Sequence, residues 1–239
     1  MARSTLGAGV SPTEFVVAND LLILAGDFSG VDGLRFYDIR DLTSPYSLGE
    51  IDLSHQSVGD VDAAGAYAYA VSSASSSLYI VNVGDPAQAR LEATVTDLGS
   101  PSDVKVQGGY AYITEQASEQ LHIVDISDPS NATTVGAIVM PNANPLDLQV
   151  QGNRVYVSYQ SVTSYTTVDV SDPVNPFVVD TTTCAGVACS ESHLAGDILV
   201  QKGYAALNQT RTIRLVDIST SGTPSIISEL EYLNPSDNI

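Results

Sequence analysis

Five carboxylates recur along the chain at a near-constant interval: Glu14, Asp60, Asp103, Asp147 and Asp197, with Asp237 as a sixth member. Each opens an apolar segment, so each stands in the same local setting. If those segments line a common axis, the carboxylates share one height around it. Like charges confined in this way raise some of their own pKa values or recruit a cation. Calcium is the guest that fits, because it accepts many oxygen ligands. The structural reading of the same residues is that each acid caps its own entry turn by accepting backbone N–H groups. A second acidic pair, Asp27 and Asp32 in Gly26-Asp-Phe-Ser-Gly-Val-Asp-Gly33, resembles a calcium loop only loosely. Its spacing departs from the helical calcium-hand pattern, and Gly with Asp is ordinary turn chemistry.

Other reactive types are scarce. The histidines are His55, His122 and His193, and no Gly-x-Ser-x-Gly elbow is present, so no catalytic residue is assigned. His122 shares its repeat position with Arg35, Tyr79, Thr166 and Arg214 and reads as a variable strand residue. His55 and His193 fall in connections between units, on the same face as the acidic series. Cys184 and Cys189 are the only cysteines, and the short Gly-containing segment between them predicts a disulfide and an oxidising compartment. Two Cys with His193 lack a fourth ligand for a metal, and there is no haem-attachment motif. Of the twelve tyrosines, Tyr159 and Tyr165 have the loop placement a sugar platform needs, while Tyr67, Tyr69, Tyr110, Tyr112, Tyr156 and Tyr204 recur in second strands as packing. Carbohydrate is not the expected partner.

These side chains are positioned by a repeat. Asp38, Asn82, Asp125, Asp169 and Asp217 follow one another at spacings of 44, 43, 44 and 48 residues, inside runs such as Leu121-His-Ile-Val-Asp-Ile-Ser-Asp-Pro129. In the third unit, Asp103 to Gln107 alternates as a strand, Gly108-Gly109 turns, and Tyr110 to Thr114 forms a second strand. Leu121 to Ile126 is a third strand, stopped by Ser-Asp-Pro, and Thr134 to Met140 a fourth. Four short strands per unit, repeated without a helical pattern, predict an all-β propeller of about five four-stranded blades. The units run approximately 11–55, 56–99, 100–142, 143–192 and 193–234 within one domain spanning 1–239, and 235–239 resembles the start of a further unit. A segment of a longer propeller is the other form this pattern takes. Inner strands packed on both faces must satisfy any acid they carry, which makes the Asp38 series structural.

Composition narrows the function. A chain of 239 residues with 44% apolar content can bury a large core, and no stretch has the length of a membrane span. Its net charge of -19, from nine basic and 28 acidic residues, repels nucleic acid and anionic membranes. No basic segment followed by an apolar one opens the chain, so a signal peptide is expected to be absent or already removed.

The run Leu121 to Pro129, with Asp-Val-Lys-Val-Gln-Gly-Gly-Tyr-Ala-Tyr-Ile before it, resembles the LVIVD repeat of bacterial and archaeal surface proteins. The third and fourth units are the best copies. The fourth places Thr167 where Ile is expected, the second has Asn82 for Asp, and the first inserts residues before its proline, in Phe36 to Pro45. The resemblance implies a secreted or surface-attached β-propeller without a catalytic motif. The expectation is therefore a non-catalytic extracellular or cell-surface module, a protein partner or self-association, and membership of a larger surface assembly or filament. The alternative is a calcium-dependent enzyme or ligand-binding domain that uses the acidic loop face.

Overall fold

The computed structural model describes residues 10–53, 57–160, 162–184, 188–205, 210–219 and 224–233. Its strands form five four-stranded antiparallel sheets, each laid down in chain order. The first holds β1 (Val10–Ala18), β2 (Leu21–Phe28), β3 (Asp32–Asp38) and β4 (Tyr46–Asp52). The second holds β5 (Asp60–Ala64), β6 (Tyr67–Ser72), β7 (Ser77–Asn82) and β8 (Arg90–Val95). The third holds β9 (Pro101–Gln107), β10 (Tyr110–Glu115), β11 (Gln120–Asp125) and β12 (Thr133–Val139). The fourth holds β13 (Pro145–Gln151), β14 (Arg154–Tyr159), β15 (Ser164–Asp169) and β16 (Phe177–Thr183). The fifth holds β17 (Ala188–Ala195), β18 (Ile198–Ala205), β19 (Thr210–Asp217) and β20 (Ser225–Leu233).

Local chemistry explains the shared plan. Second strands such as Tyr67-Ala-Tyr-Ala-Val-Ser72 are buried along nearly their whole length, which is why they read as continuous apolar runs rather than alternating ones. Fourth strands are edges and mostly exposed. The first hairpin of every sheet turns through a residue in the left-handed region: Asn19 at φ 56°, Gly65 at 60°, Gly108 at 63°, Gly152 at 57° and Gly196 at 61°.

The repeat acid ends each third strand in one way. Asp38, Asn82, Asp125, Asp169 and Asp217 accept the backbone N–H two residues on, from Arg40, Gly84, Ser127, Ser171 and Ser219, at 2.8 to 3.1 Å. This turn leaves the strand direction and satisfies the acid, as expected for a structural role. Asn82 also donates to Glu92, a contact a carboxylate could not make.

Two expectations are corrected. The first unit has no insertion before its proline: Ser44 N–H bonds the Asp41 carbonyl as Gln88 does Asp85 and Asn131 does Asp128. Leu42 therefore stands where Pro86, Pro129 and Pro173 stand in the next three sheets. In the fifth unit the first strand is β17, which starts at Ala188 rather than beyond 192, and the second is β18, not Tyr204 to Leu207. Longer strands in that sheet account for the wider spacing of 48 residues.

The chain clusters into two compact units, Met1–Ile113 with His122–Val135, and Thr114–Leu121 with Gly136–Ile239. In the first, β1 lies beside β5 and β5 beside β9. Ile23, Ala25, Leu34 and Phe36 of the first sheet pack against Val61, Ala68, Ala70 and Val81 of the second. Tyr69, Val71, Leu78 and Ile80, on the other side of the second sheet, pack against Val104, Ala111, Ile113 and Val124 of the third. In the second unit β13 lies beside β17, and Tyr156 and Tyr165 pack with Leu199, Val216 and both cysteines.

Candidate functional site

First strands are where the acidic series was expected, and strand register shows how its members are placed. A bulge sets each acid opposite the second strand: Glu14 faces Ala25, Asp147 faces Ser158 and Glu191 faces Lys202. Asp60 faces Val71 without that irregularity. Asp197 is not a member, because it lies between β17 and β18 next to Gly196, in the hairpin turn. Glu191 holds the fifth register position instead. Asp237 lies outside the described residues.

Three of the first-strand carboxylates, Asp60, Asp62 and Asp147, reach the neighbouring sheet. Asp60 Oδ2 accepts the N–H of Val104 at 2.8 Å, and Asp62 Oδ2 accepts that of Val106 at 2.7 Å. In the second unit Asp147 Oδ2 accepts both the N–H and the hydroxyl of Ser192, at 2.9 and 2.5 Å. Val104 and Ser192 each follow the acid position of their own sheet, so one rule operates twice: an acid on one first strand holds the next first strand. Glu14 departs from it among the described residues, where its exposed carboxylate accepts the adjacent Phe15 N–H at 2.9 Å.

The densest charge lies in the first unit. Asp60 and Asp103 are both buried, and Lys105 Nζ donates to Asp103 Oδ1 at 2.7 Å, Asp60 Oδ2 at 3.3 Å and the Val104 carbonyl at 3.1 Å. Burial and the neighbouring Asp103 push the Asp60 carboxyl well above the usual carboxylate range, against the pull of Lys105 and the Val104 N–H. Burial also raises Asp62, against the N–H groups of Val106 and Ala63. For Lys105 burial opposes the charge, but Asp103 and Asp60 outweigh it and raise its pKa. The ammonium thus stands where a cation recruited by Asp60 and Asp103 would sit. Among the described residues no three His, Cys, Asp or Glu are grouped to hold a metal ion.

The remaining candidates sit apart from this cluster. Asp27 Oδ1 accepts the Gly30 N–H at 2.7 Å, and Asp27 pairs with Asp32 across the β2–β3 ladder, as turn chemistry predicts. His193 is exposed on β17 and His122 half-buried on β11, while His55 lies outside the described residues. Tyr159 and Tyr165 are buried, contrary to a sugar-binding platform: both belong to the double-faced strands β14 and β15, and the Tyr159 hydroxyl bonds Thr166 at 2.7 Å. Cys184 and Cys189 form the expected disulfide, with Cα atoms 6.4 Å apart, joining the end of β16 to β17. An open cleft of about 390 Å³ in the first unit lies between the first hairpins of the first two sheets, lined by Ala18, Asn19, Asp20, Leu48, Ala63, Gly65 and Ala66 among others. Its lining holds no acid–base pair.

Lys105 and the inter-sheet reach of the acids are what sequence reasoning missed. Lys105 is the one Lys or Arg on any of the five first strands, and that singularity was the available signal.

Residues 98–139 and 145–183 match the family model for the LVIVD repeat. Those two stretches are LVIVD repeats. The matched stretches take in the third and fourth sheets, the best copies by residue pattern. No curated protein matches the sequence at a significant level. Among solved structures, the chain resembles a functionally unknown protein from Desulfotomaculum acetoxidans, with TM-score 0.78, 13% identity, and coverage of 92% of this chain and 70% of the other. It also resembles a periplasmic gluconolactonase from Pseudomonas aeruginosa, with TM-score 0.72, 16% identity, and coverage of 94% and 71%. A third is the Cps50 β-propeller domain of Myceliophteria thermophila, with TM-score 0.70, 11% identity, and coverage of 91% and 71%. At such identities the likeness shows the fold, a β-propeller, and no more. Among the described residues no helix is long and apolar enough to cross a membrane.

Proposed function

We propose that this protein is a non-catalytic propeller module of the cell surface or extracellular space, acting through protein contacts within a larger assembly. One observation carries the reading: the first-strand carboxylates, the groups best placed to do chemistry, are engaged in holding sheets together. Asp60, Asp62 and Asp147 each accept a neighbouring backbone N–H, and Lys105 neutralises Asp60 and Asp103. A general acid or base needs a proton-transfer path to substrate, and a nucleophile needs a base beside it. The Cys184–Cys189 disulfide supports an oxidising compartment.

The competing reading is a calcium-dependent enzyme or ligand-binding domain on the acidic face, where Asp60 and Asp103 lie on either side of Lys105. In that case calcium would have to displace the Lys105 ammonium. The two readings part on a direct assay of purified protein with gluconolactone, in excess calcium and in excess chelator. The module reading expects hydrolysis at the buffer rate and one melting midpoint under both conditions. Calcium-dependent turnover that Asp60→Asn removes, or a midpoint raised by calcium, would establish the competitor.

A further inference from the structure

Packing between neighbouring sheets is largely apolar in the first unit, and the fourth and fifth sheets break that pattern. At the positions where Leu78 and Ile80 of the second sheet pack on the third, the fourth sheet has Tyr165 and Thr167. Tyr165 packs with Leu199 and Val216 of the fifth sheet, and Thr167, two residues along the same strand, shares that face. On the facing side, Gln201 holds the ladder position of Ala70 and Val157, since it pairs with Arg214 as they pair with Tyr79 and Thr166. Thr212 lies on the same face, opposite Gly203, which in turn stands opposite Cys189. Glycine contributes no side chain at that point of the face.

Four side-chain atoms on these facing surfaces have no hydrogen-bond partner: Arg214 Nε, Gln201 Nε2, Thr212 Oγ1 and Thr167 Oγ1. Their residues are between 0 and 3% exposed. Buried polar groups left unpaired oppose folding, and native structures pair nearly all of them. Arg214 is the sharpest case. Its Nη2 donates to Glu229 Oε1 at 2.8 Å, but Nη1 meets Cys189 Sγ, a weak acceptor, at 3.6 Å. The Glu229 side chain is itself 34% exposed and so shared with water. Among the described residues, the buried guanidinium has one oxygen partner.

We propose that a small monovalent anion of halide size is held between the fourth and fifth sheets by Arg214 Nε, Gln201 Nε2 and the Thr212 hydroxyl, with the Thr167 hydroxyl facing them from the fourth sheet. The donor balance favours an anion over water. Guanidinium and amide nitrogens only donate, and a hydroxyl can donate. A water accepting two of these protons would leave its own two competing for the same hydroxyls, whereas an anion accepts from every donor. The missing side chain at Gly203 gives the space. All of these residues belong to the second unit, and the proposal is independent of the interaction-module reading.

The test compares sodium chloride with sodium gluconate on the full chain at matched ionic strength. Screening of a net charge of -19 acts in both salts, so a difference between them reports a site that admits the small anion. The urea midpoint is expected to be higher in chloride, by a margin that grows with concentration. Thr212→Val keeps the shape and removes one donor, and should raise the chloride concentration needed about tenfold. Arg214→Met should abolish the difference; if that variant fails to fold, Thr212→Val decides. Tyr79→Phe, which removes a buried-residue hydroxyl in the first unit, is the control expected to keep the chloride effect. Crystals grown in bromide give the location, with anomalous density expected among Gln201, Thr212 and Arg214. Equal midpoints in the two salts, a chloride effect unchanged in Thr212→Val, or ordered water without anomalous density each overturns the proposal. Bromide density without any midpoint difference, which is binding at crystal concentration only, overturns it too.

Discussion

Lys105→Met tests the inter-sheet charge cluster. The ammonium lies 2.7 Å from one Asp103 oxygen and 3.3 Å from one Asp60 oxygen, and both acids are only 6% exposed. At an effective dielectric of about 20, these distances correspond to gross attractions of roughly 6 and 5 kcal/mol. Desolvation cancels much of that, and removing one partner from a buried pair costs about 3–5 kcal/mol. Because 29% of the Lys105 side chain remains exposed, the expected loss is at the lower end, about 3 kcal/mol at pH 8. At pH 4.5 the stranded carboxylates take up protons, no unpaired charge remains, and the loss is expected to shrink to about 1 kcal/mol. Adding Asp60→Asn to Lys105→Met leaves one buried carboxylate instead of two, and is expected to recover about 1 kcal/mol of the pH 8 loss. Urea unfolding followed by circular dichroism or tyrosine fluorescence reads all three chains, since the protein has twelve Tyr and no Trp. A loss below about 0.5 kcal/mol at pH 8, the level of an exposed pair, would refute the reasoning. An equal loss at both pH values would do the same.

The remaining expectations concern single features. Raised folded pKa values mean that Asp60 and Asp62 retain protons the unfolded chain releases; their contribution to stability is full below about pH 4 and is lost as pH rises through the folded values. Asp60→Asn should therefore flatten the decline above pH 4 and leave the protein at least as stable as wild type at pH 8; a steeper decline in urea midpoints would contradict this. The turn acids run oppositely: hydrogen bonds to the Arg40 side chain and backbone lower Asp38 to about 2, and those to Ser127 lower Asp125, so their stabilisation is present above about pH 4 and disappears as pH falls through the folded values. Asn82→Asp should destabilise by about 0.5–1 kcal/mol although it restores the repeat residue, because a carboxylate would face Glu92; a neutral midpoint argues against the Asn82–Glu92 contact. Replacing both Cys184 and Cys189 by Ser should cost about 2 kcal/mol, the value for so short a loop, read from the same urea curves. Gly136→Ala drives a Cβ into the Pro173 carbonyl oxygen and should cost about 1–3 kcal/mol, and a silent substitution would disprove that close approach.

The five-sheet plan was legible because each sheet is made by local signals that recur: a Gly or Asn hairpin, a double-faced apolar strand, and an acid that closes a turn on the N–H two residues later. Those interactions lie within a few residues of one another. The disulfide was legible for the same reason. The acidic series was visible as a spacing, but its chemistry was not. Asp60 and Asp147 bond backbone groups 44 and 45 residues away, and a backbone N–H leaves no mark in residue types. Register also failed in the fifth unit, where Asp197 kept the interval while longer strands moved Glu191 into its place. The burial of Tyr159 and Tyr165 follows from strand pairing that residue type alone does not fix.

The joint between sheets has an evolutionary consequence. Where it is seen, one repeat supplies a carboxylate that grips the sheet that follows and the next supplies the amide that is gripped. Duplicating one repeat in the gene therefore inserts a part already compatible at both ends, and excising one leaves matching ends behind. Length in such a chain can drift by whole modules without compensating mutations.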